Sequence, residues 1–270
     1  MLYSQVVDKS NEVDSVQPIP VFLHGFLGST LDWQECLSYL KIPQSIQVDL
    51  PCHGMSKYCE VIDFDAACQQ IQLTVLAQLK KRNLALNSSL VLVGYSLGAR
   101  IGMYAIAKKA LPELNVKAAI FEGGSFGFQN EEDRLLRWEG DKHWSKRFAT
   151  EAIDEVLYDW YQQGVFSSLT EDQREDLVEV RSDNLGSQLG CMLRATSLSK
   201  QPYLLDDLKA QPLPLLYLYG EHDEKFKSVA EQSGLNTKEV INAGHNAHNE
   251  QPQQYAQLVD DFIQSLGFKK

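Results

Sequence analysis

The sequence has few cysteines and none of the closely spaced pairs that bind zinc or build a disulfide framework. Its five cysteines are an odd, irregularly spaced set without a C-x-x-C pair, namely Cys36, Cys52, Cys59, Cys68 and Cys191. Disulfide scaffolds use an even set of cysteines, and zinc sites use paired thiolates. We therefore expect no metal, no disulfide framework and a reducing compartment.

The chain also lacks a concentrated basic stretch and a long apolar run. Its formal net charge is −11, whereas a nucleic-acid surface needs a face dense in lysine and arginine. No apolar run approaches the roughly 20 residues that cross a membrane. Asp8, Glu12 and Asp14 stand where a signal peptide would have its apolar core. We expect a soluble cytoplasmic protein that does not bind nucleic acid and has no membrane span.

What the sequence does contain is a serine between two glycines at the end of an apolar run. Residues 89–101 are Ser-Leu-Val-Leu-Val-Gly-Tyr-Ser-Leu-Gly-Ala-Arg-Ile. Leu90 to Val93 predict a buried strand, and the pattern after Ser96 changes to helical spacing. Such a G-x-S-x-G turn is typical of a nucleophilic serine with an exposed hydroxyl, although an ordinary turn before a surface helix fits the same letters. Gly94 and Gly98 are interpreted as positions where a side chain would collide.

Strand and helix patterns alternate on both sides of this turn. Buried strands are predicted at 20–23, 45–50, 90–93, 116–121, 213–219 and 238–241, and helices at 31–40, 63–82, 225–233 and 253–266, besides the helix after Ser96. Residues 2–7 show too weak a pattern for assignment. The alternation predicts an α/β fold with a mostly parallel sheet and helices on both faces.

The alternation stops between residues 125 and 203. This stretch shows no convincing strand and predicts helices at 130–148, 150–162, 170–183 and 186–198. We interpret it as a helical lid inserted into one core. The predicted organisation is therefore 1–124 as the first part of the core, 125–203 as the lid and 204–270 as the second part.

Three reactive residues follow predicted strands in the order Ser96, Asp223, His245. Because parallel strands place their carboxyl ends at one edge, we expect these side chains to meet there. His245 would accept the proton of Ser96, and Asp223 would set the imidazole tautomer. Two alternatives stay open. Glu122 could be the acid, leaving Asp223 to cap the next helix, and His248 competes with His245.

Two backbone N–H groups are candidates for an oxyanion hole. One belongs to Leu97, at the start of the helix after Ser96, and the other to Phe26, in the loop that follows the first buried strand. His24, in the same loop, is interpreted as a packed core histidine, because the chemistry would use the backbone of this loop.

The chain resembles the α/β-hydrolase superfamily across residues 19–266. Within it, the chain resembles the 2-succinyl-6-hydroxy-2,4-cyclohexadiene-1-carboxylate synthase family of menaquinone biosynthesis. The segments that carry this resemblance are VFLHGF, GYSLGAR, EGGSFGFQNEEDR, DWYQQGVF, LVEVRS, GEHDEKF and AGHNAH. The resemblance covers core and lid alike. It implies a lyase without a cofactor, in which the triad removes a proton from the succinyl side chain of an enolpyruvyl substrate and pyruvate is eliminated.

The resemblance also implies which residues bind this small polycarboxylate. They are Tyr95, Arg100, Arg137, Trp160 and Arg181. Arginine binds carboxylates through two parallel hydrogen bonds, which suits such a substrate. Arg134 is a further lid arginine. Alternatively, the lid arginines pair with Glu131, Glu132 or Glu179 on a solvated face, and Trp160 only packs inside the lid.

One residue departs from the superfamily pattern, and the reaction itself stays open. Cys52 stands where the superfamily usually has glycine, as a packed side chain or a reactive thiol. The same triad would also serve a carboxylesterase or thioesterase acting through an acyl-Ser96 intermediate. A third hypothesis is a non-catalytic module that binds a small acid or a partner through the lid.

Overall fold

A single sheet of seven strands forms the centre of the computed structural model, which describes residues 1–9 and 17–268. In chain order the strands are β1 (Ser4–Asp8), β2 (Ile19–Leu23), β3 (Gln44–Val48), β4 (Leu90–Tyr95), β5 (Val116–Glu122), β6 (Leu215–Gly220) and β7 (Asn236–Val240). Their order across the sheet is β1-β3-β2-β4-β5-β6-β7, and only the β1–β3 pair is antiparallel. The prediction of a mostly parallel α/β sheet is confirmed.

Strand β1 is the element that the sequence left unassigned. It pairs with β3 at the sheet edge, with Ser4 opposite Val48 and Asp8 opposite Gln44. None of its five residues is fully buried. A strand with no buried face shows little alternation, so its pairing partner, and not its own pattern, decides its place.

Helices flank the sheet and lie between its strands in the chain. They are α1 (Gln34–Tyr39), α2 (Phe64–Lys81), α3 (Leu97–Ala107), α4 (Glu131–Thr150), α5 (Ile153–Trp160), α6 (Glu171–Arg181), α7 (Gly186–Ala195), α8 (Leu205–Lys209), α9 (Glu224–Ser233), α10 (Ala247–Glu250) and α11 (Pro252–Ser265). The sequence did not predict α8 and α10, which are too short to show a helical period. The predicted helix at 31–40 is a 3₁₀ turn at Thr30–Trp33, capped by Ser29, followed by α1.

Two apolar clusters lie on opposite faces of the sheet. Ile71 of α2 and Met103 of α3 belong to one, and Trp33 and Tyr255 to the other. Every residue of β4 is buried between them. The central strands are therefore rigid supports for the loops at their carboxyl ends.

The stretch from 125 to 203, every residue of which is described, holds α4 to α7 and no strand. Helix α7 ends at Ala195, earlier than predicted, with Thr196 as its C-terminal cap. A third apolar cluster inside this stretch includes Phe148, Leu157 and Leu189, and it packs on Leu27 in the loop after β2. The stretch is thus anchored over the carboxyl ends of the strands. Its role as a lid, and the three-part division of the chain, stay predictions.

Among residues 1–9 and 17–268, no helix combines the length and apolar character that crossing a bilayer requires. Glu12 and Asp14, used above as an argument against a signal peptide, lie outside the described residues.

Candidate active site

Ser96 occupies a strained turn between β4 and α3. Its φ of 47° and ψ of −104° lie in a region that residues with a side chain rarely adopt. A Cβ on Gly94 would lie 2.6 Å from the Ala99 nitrogen, and one on Gly98 would lie 2.1 Å from the Leu23 oxygen. Strand and helix therefore approach so closely that only glycine fits at both positions, as the sequence predicted.

His245 and Asp223 lie beside this turn at the ends of β7 and β6. The His245 Nδ1–H donates to Asp223 Oδ2 at 2.7 Å, and His245 Nε2 lies 3.4 Å from Ser96 Oγ. The carboxylate also caps α9, because Asp223 Oδ1 accepts the Phe226 N–H at 3.2 Å. The sequence treated capping and orienting the histidine as alternatives. In the structure Asp223 has both roles, because Oδ1 caps α9 and Oδ2 orients the His245 ring.

Ring contacts hold the His245 imidazole in place. It stacks on Phe226 with ring centroids 4.8 Å apart and lies 5.3 Å from the Tyr95 ring. Gly123, with φ of +57°, lies so close that a Cβ there would be 2.8 Å from His245 Cε1. The imidazole therefore has one accessible edge, which faces Ser96.

The competing acid and histidine, Glu122 and His248, bond to each other instead. The His248 Nδ1–H donates to Glu122 Oε2 at 2.8 Å, and the His248 backbone N–H donates to Oε1 at 3.2 Å. Both side chains are completely buried. Neither replaces Asp223 or His245 at the serine.

The candidate oxyanion donors flank the serine. Within the described chain, neither the Phe26 nor the Leu97 N–H donates to an acceptor. A Cβ on Gly25 would lie 3.6 Å from the Ser96 Cβ, so the loop that carries Phe26 runs beside the serine. Two N–H groups next to one hydroxyl can bind an oxygen that gains negative charge.

A cavity of about 360 Å³ opens above Ser96 and His245. Tyr95, Trp160 and Phe166 contribute to its apolar wall. Its polar wall carries four basic side chains, Arg100, Arg137, Arg181 and Lys225. The basic residues that the resemblance assigned to the substrate thus converge on the serine, although they come from different helices.

The three arginines differ in their partners. Arg137 Nε donates to Asp141 at 2.8 Å, and Arg181 Nη1 donates to Asp32 at 2.6 Å. Arg100 instead donates to the uncharged oxygens of Gln201 and Thr196. Burial lowers the pKa of Arg100 to about 9, which still leaves a cation at neutral pH. Among the described residues, Arg100 therefore forms no ion pair with a carboxylate, although the charge of Asp141, which is paired with Arg137, acts on it from a distance.

The alternative partners proposed for the lid arginines are wrong. Arg137 and Arg181 pair with aspartates, and not with Glu131, Glu132 or Glu179. Arg134 turns away from the cavity and donates to the backbone oxygens of Phe128, Ser199 and Gln201. It therefore holds loops together at the start of α4.

Known proteins match the chain over nearly its full length. The model of the alpha/beta hydrolase family matches residues 21–258. The 2-succinyl-6-hydroxy-2,4-cyclohexadiene-1-carboxylate synthase of Escherichia coli O157:H7 is 41% identical over 251 residues, which cover 93% of this chain and 94% of that protein. Its counterpart from Yersinia enterocolitica is 40% identical over 252 residues, covering 93% of this chain and 88% of that protein. The chain belongs to the alpha/beta hydrolase family, among these synthases.

A solved structure agrees with the sequence relatives. MenH from S. aureus superposes with a TM-score of 0.85 at 25% identity, covering 98% of this chain and 99% of that one. The resemblance to this family and the fold class predicted from the sequence are thereby confirmed.

Sequence reasoning missed one basic residue of the cavity, which is Lys225. Lys225 lines the cavity and, within the described chain, forms no ion pair with a carboxylate. Burial, together with Arg137, lowers its pKa. A signal was present, since Lys225 stands two residues after Asp223 in GEHDEKF.

Trp160 has both of the roles that the sequence left open. It lines the cavity, and its ring packs 5.1 Å from Phe26 and 5.0 Å from Trp144. The indole therefore forms a wall of the cavity and also joins the helical segment to the loop that carries Phe26.

Cys52 has a backbone conformation that favours glycine. Its φ is +67°, and its side chain is completely buried. Burial raises the pKa of the thiol to about 12. The thiolate is the reactive form of cysteine, so of the two alternatives the structure favours the packed side chain over the reactive thiol.

Proposed function

We propose that this protein forms 2-succinyl-6-hydroxy-2,4-cyclohexadiene-1-carboxylate in menaquinone biosynthesis by eliminating pyruvate from 2-succinyl-5-enolpyruvyl-6-hydroxy-3-cyclohexene-1-carboxylate. The relatives at about 40% identity carry the name of this synthase. The observation that carries the proposal is the cavity itself, where four basic side chains surround a serine, histidine and aspartate in one hydrogen-bonded row.

Substrate binding follows from the charges of the cavity. The substrate carries several carboxylates, which a protein with a net charge of −11 repels unless cations are concentrated at the site. Arg100 and Lys225 have no acid partner among the described residues, so a carboxylate of the substrate supplies their counter-charge. Arg137 and Arg181 are held by their aspartates and offer their remaining N–H groups.

Proton removal is the task of the serine, histidine and aspartate. The ring carbon that bears the succinyl carbonyl is the acidic position of the substrate, because its carbanion is delocalised onto the carbonyl oxygen. His245 Nε2 accepts the proton of Ser96 as the serine oxygen takes the proton from this carbon. Asp223 keeps the other ring nitrogen protonated and stabilises the imidazolium.

Elimination then completes the reaction. The N–H groups of Phe26 and Leu97 bind the enolate oxygen while the negative charge lies on it. As the carbonyl re-forms, the electrons move through the ring to form a new double bond, and the carbon–oxygen bond to the enolpyruvyl group breaks. The departing enolate takes up the proton held by the His245 imidazolium and becomes pyruvate. No bond between Ser96 and the substrate is needed.

Pyruvate release from the enolpyruvyl substrate tests the proposal. Ser96→Ala and His245→Ala should each lower kcat by about 10³-fold or more. Ser38→Ala and His222→Ala change exposed residues and serve as controls with wild-type rates. Release at the wild-type rate by either site variant would refute the proposal.

A carboxylesterase or thioesterase with an acyl-Ser96 intermediate is the alternative. The same N–H groups would then stabilise a tetrahedral intermediate. Mass spectrometry of the protein mixed with p-nitrophenyl esters distinguishes the two. Accumulation of acyl-Ser96 with rapid ester turnover and no pyruvate release favours the esterase, whereas the lyase releases pyruvate with Ser96 unmodified.

A further inference from the structure

The buried pair of Glu122 and His248 lies next to the reacting groups but takes no part in the proposed chemistry. We infer that it is a positioning pair, which sets the separation between Ser96 Oγ and His245 Nε2. The inference rests on the proposed roles of Ser96 and His245 as the reacting pair.

Glu122 is bonded to the serine turn through its backbone. It is the last residue of β5 and lies opposite Tyr95 in the parallel pairing with β4. Its backbone oxygen accepts the Ser96 N–H at 2.8 Å. This hydrogen bond restrains the residue whose φ is positive, so Glu122 helps to hold the strained conformation of Ser96.

The side chain of Glu122 is bonded to the histidine loop. Its two oxygens accept the backbone N–H and the Nδ1–H of His248. The loop is closed on itself, because Glu250 accepts the N–H groups of Gly244 and Asn246. A restraint on His248 is thus transmitted to His245, which lies between those two residues.

Aromatic rings fix the orientation of the His248 imidazole. It stacks on Trp33 with centroids 4.1 Å apart and an interplanar angle of 26°. It also lies 4.7 Å from Tyr95, whose ring touches His245, and 5.8 Å from Tyr255. His248 Nε2 has no hydrogen-bond partner within the described residues. The bond to Glu122 is therefore the polar interaction that holds this side chain.

The contacts form a closed ring of interactions. It runs from the Ser96 N–H to Glu122, through His248 to His245, and back across 3.4 Å to the Ser96 hydroxyl. Both side chains of the pair are shielded from solvent, so water cannot replace a lost bond without opening the core. Loss of the pair should therefore move His245 relative to Ser96.

Two replacements of His248 separate positioning from packing. The amide of His248→Asn can still donate to Glu122, but it gives up the ring contacts with Trp33 and Tyr95. His248→Leu keeps apolar bulk against Trp33 but removes the donor. Positioning predicts kcat near wild type for His248→Asn and a fall of at least tenfold, up to roughly 100-fold, for His248→Leu, with KM changed less than twofold.

Glu122→Gln tests the other partner. The amide keeps the length of the side chain, but its single oxygen can accept only one of the two N–H groups of His248, and its own N–H groups then face the other donor. We expect the same loss of kcat as for His248→Leu. The matched control is Asp260→Asn, a buried carboxylate that accepts the Lys41 N–H at 2.9 Å on the far helix α11. It should lower Tm without lowering kcat.

Phosphonylation of Ser96 by a fluorophosphonate provides a readout that does not depend on the natural substrate. The labelling rate of folded protein should fall with kcat in Glu122→Gln and His248→Leu but not in Asp260→Asn. Labelling and kcat within twofold of wild type in both variants would overturn the inference. A wild-type kcat in His248→Leu together with a lowered kcat in His248→Asn would also overturn it. This comparison can be made even if Glu122→Gln does not fold. If the wild type released no pyruvate, the proposed function would fail while the labelling rates still tested the pair.

Discussion

The Arg181 guanidinium lies 2.6 Å from the Asp32 carboxylate, and both side chains are almost fully buried. Asp32 also closes a capping box with Ser29 before α1. The ion pair therefore joins α6 to the loop after β2 in the wall of the cavity. Burial alone would raise the pKa of Asp32, but the guanidinium outweighs it and holds the pKa below its usual value.

The contributions of Asp32 and Arg181 to the free energy of unfolding should be strongly coupled. Asp32→Asn and Arg181→Met each leave one buried partner without its counter-charge, so each should lower the free energy of unfolding by about 3–5 kcal/mol. The double variant should lose much less than the sum. Urea unfolding measures this cycle, and additivity within about 0.5 kcal/mol would contradict it. The half-exposed pair Lys108 and Asp207 is the control, with an expected coupling of about 1 kcal/mol or less.

Replacements of Asp223 should separate its two tasks. Asp223→Asn keeps an oxygen for the Phe226 N–H but favours the wrong imidazole tautomer, so kcat should fall by about 10⁴-fold with little loss of stability. Asp223→Ala should lose the same activity and about 1 kcal/mol more stability. Pyruvate release and urea unfolding measure the two effects. Asp63→Ala removes the cap of α2 and should lower stability alone. An active Asp223→Asn would show that this acid does not orient His245.

Two buried histidines should make the protein sensitive to acid. Burial lowers the pKa of His24 to about 4 and that of His53 to about 3, from 6.5. Below pH 6.5 the unfolded chain therefore binds protons that the folded protein does not, and stability falls as the pH falls. Each histidine accounts for about 2 kcal/mol at pH 5.

His53→Asn tests this linkage, because its amide can still donate to the Pro51 oxygen that His53 Nδ1 contacts at 2.8 Å. Urea unfolding between pH 7 and pH 5 should show about 2 kcal/mol less acid destabilisation than in the wild type. The exposed His222→Asn should keep the wild-type slope. An unchanged slope in His53→Asn would mean that His53 is protonated in the folded protein.

Lys225 should contribute to substrate affinity. Lys225→Met removes a cation without an acid partner from the cavity, so KM should rise about tenfold with kcat within twofold, and added salt should reduce the difference. Steady-state kinetics at two ionic strengths measures this. Lys227→Met is the matched control on the same helix, since Lys227 pairs with Glu239 outside the cavity. Equal KM values for the two variants would exclude a role for Lys225.

The local features of this protein could be predicted from its amino-acid sequence alone. Buried runs, helical periods and glycines beside Ser96 are properties of adjacent residues, so they predicted β2 to β7, the strand–helix turn and the order of Ser96, Asp223 and His245. The same reasoning could not decide what each chemical group touches. It left β1 unassigned, and it kept Glu122 and His248 as rivals of the residues beside the serine.

The hydrogen-bond and ion-pair partners of the buried side chains depend on the folded arrangement of the chain. Arg181 finds Asp32 across 149 positions of the chain, and His248 finds Glu122 across 126. Lys225 joins three arginines that stand on other helices. Periodicity is a local property, whereas burial and charge pairing depend on which segments the folded sheet brings together, so these contacts follow from packing and not from any pattern of neighbouring residues.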